Sequence, residues 1–236
     1  AQAASYGAAW VAPVSPSNST TLSYTLMFSE WTVGIEPADF YNAGNAKGCL
    51  IAPSALVGRS IKVTVSGCSE GTLILKLSPY ALIASASGAN VPESIVAAPT
   101  IQIDRTAPPA PTLAGAPSGF TNSNNLNVSW PGVIDPSGIL RYECSNEGLP
   151  FSACASPRIR SALNNAPHSL AIRAVDRAGN IGPAAESNWT VDTVIPGVVS
   201  FVRGDSLGGH IKSANLSGVY YYLNFSEPTR ASSVAV

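Results

Sequence analysis

The side chains in this sequence that could do chemistry are scattered aspartates, four cysteines, two histidines and five Asn-x-Ser/Thr triplets. Asp104, Asp176 and Asp192 each close a strand-like run, in "TIQID", "IRAVD" and "NWTVD". Asp104 with Asp176 or Asp192 could offer hard carboxylate oxygens to calcium between successive units. Against that, no D-x-D-x-D spacing occurs, and an Asp before a short connector is suited to accept hydrogen bonds from the connector's own N–H groups. "DRAGN", Asp176 to Asn180, reads as a hairpin turn in which Gly179 and Asn180 tolerate positive φ. No resident cofactor is expected from spacing, and calcium is the one that the aspartates leave open.

The cysteines fall into two local pairs, Cys49 with Cys68 and Cys144 with Cys154. Neither pair has C-x-x-C spacing, and no histidine stands close enough to complete a zinc site. One pair in each unit fits one disulfide per unit in an oxidising compartment; the alternative is four buried thiols. The two histidines, His168 and His210, lie in different units, and His168 in "NNAPHSLAIR" reads as an exposed turn residue. No G-x-S-x-G elbow, H-E-x-x-H helix or Gly-rich phosphate loop is present. No catalytic residue is assigned, and the chain reads as non-enzymatic.

Asn18, Asn127, Asn188, Asn215 and Asn224 begin the sequons. Asn18 and Asn215 fall in turns and occupy matching places in two copies of one unit, which makes them the best glycan acceptors. Arg203-Gly204-Asp205 could be an adhesion signal, but after the run "VVSFV" it reads as an ordinary turn.

These residues must be positioned by strands. The 236 residues are 45% hydrophobic but only 11% charged, against about 25% in a typical soluble chain. A net charge of −1 offers no footprint for nucleic acid, and no run is long enough to insert in a membrane. The dominant period is two: Leu22, Tyr24, Leu26 and Phe28 point one way and their neighbours the other. Ile61, Val63 and Val65 repeat this, as do Leu73, Leu75 and Leu77, and then Ile101 and Ile103. The pattern restarts after "IQIDRTAPPAP" with Leu126, Val128 and Trp130, then Leu140, Tyr142 and Cys144, then Leu170, Ile172 and Ala174, then Trp189 and Val191. "AAWVAPV" reads as an edge strand, because Pro13 has no N–H for a central ladder. No amphipathic helix of ten residues is present. Trp10, Trp130 and Trp189 read as core and Trp31 as a surface contact, while Tyr220 and Tyr222 face outward around an inward Tyr221.

Two junctions resemble one another, "IDRTAP" from Ile103 and "VDTVIP" from Val191. Each is a strand end, an Asp and a short segment closed by Pro, which makes a stiff connector. The run "VYYYLNFSEP" from Val219 repeats "LSYTLMFSEW" from Leu22, so a third unit begins near the end of the sequence. The expected organisation is three units, 1–105, 106–193 and 194–236, the third incomplete. Either the native chain continues beyond Val236, the favoured case, or another subunit supplies the missing strands. The N-terminal segment has neither a basic nor an apolar region of a signal peptide and reads as the middle of a longer protein.

The chain resembles bacterial-type Ig-like repeats, also seen in algal extracellular proteins. The first unit carries Phe28-Ser29-Glu30, Asp39-Phe40 and "SGCSEGTL"; the second carries "YECS", "FSACASP", "IRAVDRAGNIGPA" and "WTVD". The resemblance implies an all-β fold of tandem Ig-like β-sandwich domains. It implies a structural or adhesive role, as stalk, fibre or adhesin, at a cell surface or in a secreted protein. The expected partners are neighbouring repeats of the same chain, and beyond them other fibre subunits or surface glycans. Two alternatives stay open: an accessory, glycan-binding module of a secreted carbohydrate-active enzyme, and a self-assembling filament subunit.

Overall fold

The computed structural model describes residues 7–55, 57–78, 81, 83–85, 97–204 and 220–226. The first strands are β1 (Ala8–Val11), β2 (Thr21–Phe28), β3 (Thr32–Val33), β4 (Phe40–Asn42), β5 (Leu50–Pro53), β6 (Ser60–Ser66), β7 (Gly71–Leu73), β8 (Leu75–Leu77), β9 (Ala84–Ser85) and β10 (Ile101–Ile103). One antiparallel sheet has the order β1-β2-β6-β5, with the Pro-flanked β1 at its edge. β4 pairs with β8, β7 with β10, and β3 with β9. Period-two patterning explains the layering. Leu22, Tyr24, Leu26 and Phe28 enter one core with Ile61, Val63, Val65, Leu73, Leu75, Ile101 and Ile103. Trp10 is half-buried and packs edge-on against Tyr24 and Phe40. Leu77 reaches only the margin of this core.

A second set follows: β11 (Gly119–Thr121), β12 (Leu126–Val128), β13 (Ile139–Asn146), β14 (Ser152–Cys154), β15 (Arg158–Arg160), β16 (Pro167–Asp176) and β17 (Ala185–Val191). The order β11-β17-β16-β13-β14 makes one sheet, and β12 with β15 makes the other. Leu126, Val128, Trp130, Cys144, Leu170, Ile172, Trp189 and Val191 fill a separate core between them. Both sandwiches open the same way, with an early segment parallel to the last strand. Ser17 bridges Ile103 in the first, and β11 runs parallel to β17 in the second. Packed sheets that are antiparallel apart from this early parallel segment are an Ig-like arrangement. Among the described residues the only helical element is a 3₁₀ turn, Pro37–Asp39, and no helix is long and apolar enough to cross a membrane.

Three sequence expectations change. Leu140 is 56% exposed, because the register of β13 against β16 shifts between Ile139 and Arg141 and turns that side chain outward. His168 is buried within β16 and is not a turn residue. In β18 (Val198–Gly204) and β19 (Tyr220–Phe225), Tyr221 is not inward: it is exposed and stacks on Phe201 with centroids 5.0 Å apart. Among the described residues no second sheet lies over this hairpin, so its alternation has no core to sort it. Asp205, His210 and Asn215 lie outside the described residues.

Candidate functional site at the junction of the two sandwiches

The cysteines form two bridges. Cys49–Cys68 links the segments before β5 and after β6, and Cys144–Cys154 crosses from β13 to β14. None is free. Bridges of this kind belong to oxidising compartments.

Of the three candidate metal ligands, the structure brings together Asp104 and Asp176 but not Asp192. Asp192 continues from β17, its N–H donates to the Thr121 carbonyl, and its Oδ1 accepts the Val194 N–H at 3.0 Å. The third acid at the junction is Asp135. One carboxylate oxygen from each of Asp104, Asp135 and Asp176 lies within 4.8 Å of the others, and all three residues are buried. Local folding explains each. Asp104 follows β10 and turns its Oδ1 back to the Thr106 N–H at 3.1 Å. Asp135 opens the turn "DPSG", where Gly138 N–H donates to its carbonyl and Ser137 donates N–H and Oγ–H to its Oδ1. Asp176 ends β16 opposite Ile139, which sets it beside that turn, and the Arg177 N–H donates to the Gly138 carbonyl.

Asn180 closes the arrangement. Its side-chain nitrogen donates to the main-chain carbonyls of Asp104 and Thr106 at 2.9 and 3.3 Å, and to Asp176 Oδ2 at 2.7 Å. The connector is also held from the first sandwich. Arg105 N–H donates to Glu70 Oε1, its guanidinium donates to the Cys68 and Ser19 carbonyls, and Thr106 Oγ1 donates to the Glu70 carboxylate. Gly182 packs against the Pro108 carbonyl where a Cβ would collide with it. Asn18 is exposed at the same junction, its amide beside Gly179, whose φ is +95°.

Sequence reading missed Asp135 and Glu147. "DPSG" carries a turn signal, but nothing in its spacing says which distant carboxylate it will meet. Glu147 holds His168, with Nδ1 3.0 Å from Oε1, while His168 Nε2 lies 2.9 Å from the Asn164 carbonyl. Both partners are acceptors, so the charged imidazolium, which donates from both ring nitrogens, is the form that satisfies them both. The Asn164 carbonyl and Glu147 raise the His168 pKa against the opposing effect of burial. Burial pushes the Glu147 carboxyl up, but Arg160, His168 and the Ser169 N–H together hold it below its ordinary value. His168 also stacks on Trp189. Further along the same sheet, Arg173 and Arg141 clamp Glu143 and lower its pKa. Trp31 is 63% exposed.

No family model matches the chain, and no curated protein matches it. Among solved structures, fibronectin(III)-like modules of CbhA from Clostridium thermocellum align over 78% of this chain and 94% of their own, at 13% identity and a TM-score of 0.42. A protein from Corynebacterium diphtheriae, described as membrane anchored, aligns over 84% of this chain and 57% of its own, at 12% identity and a TM-score of 0.26. Alignments at these scores carry no argument about binding or activity.

Proposed function

We infer that the chain is a non-enzymatic segment of an extracellular repeat protein, in which modules 1–105 and 106–193 and the start of a further module at 194–236 act as a stalk, fibre or adhesin. The observation that carries this reading is the connector from Asp104 to Pro108. Its main chain and side chains are bonded to Ser19, Cys68 and Glu70 on one side and to Asn180 on the other. A short segment held from both ends transmits orientation from one sandwich to the next, as a spacer requires and a floppy tether does not allow. Disulfides in both sandwiches favour an extracellular setting.

The test is small-angle scattering on the chain, combined with the native protein's mass. An elongated particle with one dominant inter-module distance, in a protein much heavier than 24.2 kDa, supports the spacer. A broad distance distribution, or modules folded back on each other, refutes it.

A further inference from the structure

The geometry points to a divalent-cation site at this junction, of the hard, all-oxygen kind that takes calcium, built from Asp104 at the end of the first sandwich and from Asp135 and Asp176 in the second. The acids alone would not make the case. What does is that two of their oxygens are left over. Asp104 Oδ2 and Asp135 Oδ2 are both out of contact with solvent and have no hydrogen-bond donor among the described residues. Asp104 is 2% exposed, Asp135 9% and Asp176 0%. Each of the first two uses Oδ1 for its own turn, which leaves Oδ2 without a partner, and one carboxylate oxygen of each lies within 4.8 Å of one from each of its neighbours.

A buried carboxylate oxygen with no donor is unfavourable, and three like charges in so small a space make it more so. Proteins meet that in three ways, with a proton on one carboxyl, with a cationic side chain or with a bound cation. No Lys, Arg or His nitrogen of the described residues makes a salt bridge to any of the three. Arg177, next in sequence to Asp176, is exposed.

The remaining donors suit a hard cation. Calcium takes six to eight oxygens and accepts carboxylates, main-chain carbonyls and amide oxygens together. Beside the acids, the Asp104 and Thr106 carbonyls converge on the Asn180 amide nitrogen, which is also bonded to Asp176 Oδ2. That nitrogen already occupies a nest of oxygens. Turning the amide over would present Oδ1 in its place. No sulfur or imidazole stands in the cluster, which argues against a softer metal. Because Asp104 comes from one sandwich and the other two acids from the next, a bound ion links them. The site does not depend on the stalk reading, and its test reads binding alone.

The experiment is calorimetric titration of the full chain, stripped with chelator, using CaCl₂ and MgCl₂. Calcium is expected to bind one to one with a dissociation constant of about 10⁻⁴–10⁻³ M or tighter, the range of extracellular modules, and magnesium about tenfold more weakly. Asp135→Asn should weaken calcium binding at least tenfold, and Asp192→Asn should leave it unchanged. Absence of saturable heat, equal affinity for magnesium, or unchanged binding in Asp135→Asn each overturns the site. Should Asp135→Asn fail to fold, wild-type amide resonances decide. Calcium-induced shifts centred on residues 104–106, 135–138 and 176–180 support the site, and shifts elsewhere or none refute it.

Discussion

The side-chain amide of Asn180 donates to the main-chain carbonyl of Asp104 across 76 positions of sequence, joining the last hairpin turn of one sandwich to the last strand of the other. Removing it leaves the Asp104 carbonyl and the buried Asp176 Oδ2 each short of a donor. Asn180→Ala should therefore destabilise the second sandwich by about 1–3 kcal/mol in chelator, read from urea unfolding. A change under about 0.5 kcal/mol, as expected of an ordinary surface site, would show that the bond contributes nothing.

Gly182 is buried against the connector, and a Cβ there would meet the Pro108 carbonyl oxygen, which is backbone and cannot swing away. Gly182→Ala should cost about 1–3 kcal/mol and loosen the junction. Gly132→Ala, where a Cβ meets nothing within 4 Å, is the control and should stay near neutral. Thermal unfolding with scattering on both variants checks this. Equal effects of the two would remove the steric argument.

Each disulfide closes a short loop, with sequence separations of 19 for Cys49–Cys68 and 10 for Cys144–Cys154. The chain-entropy model assigns about 3 kcal/mol to each. Replacing both cysteines of one pair by alanine should lower the stability of its own sandwich by about that amount and leave the other sandwich unchanged. Non-reducing peptide mapping should recover the two local bridges, and a bridge between the sandwiches would contradict the fold.

The His168–Glu147 pair makes stability depend on pH, and the signs follow from the two shifts. The His168 pKa is raised, chiefly by the Asn164 carbonyl, from an ordinary 6.5. Its contribution is fully present below 6.5 and is lost as pH rises through the folded value. The Glu147 pKa is lowered from 4.5, so its contribution is present above 4.5 and is lost as pH falls through the folded value. The pair therefore stabilises most between about 4.5 and 6.5 and less at pH 8. His168→Gln should flatten the melting temperature between pH 6 and 8. Glu143, whose lowered pKa acts only in acid, does not interfere in that window. An unchanged slope in His168→Gln would assign the pH dependence to another group.

The Leu140 and His168 outcomes show what period-two reading can and cannot see. Leu22 through Phe28 sort inward and outward as the alternation requires, because an unbroken strand has no other geometry. One shift of register in β13 is enough to reverse the side of Leu140, and nothing in "GILRYECS" announces it. His168 was legible as a polar residue beside a strand. Its burial depends on Glu147 arriving from 21 positions away with a charge to meet it.

The residues 1–236 by themselves determined an all-β chain, two repeated sandwich patterns, local cysteine pairs and Asp104 and Asp192 as acceptors for their own connectors. These features are local: alternation, turn chemistry and spacing act within a few residues. Only the tertiary structure decided that Asp135 rather than Asp192 stands with Asp104 and Asp176, and that two of those carboxylates keep an unpartnered oxygen. That convergence arises because β13 pairs with β16 and the Asn180 turn docks on the end of β10. Sequence spacing does not encode which turns from different strands meet; strand pairing and packing between the sandwiches do.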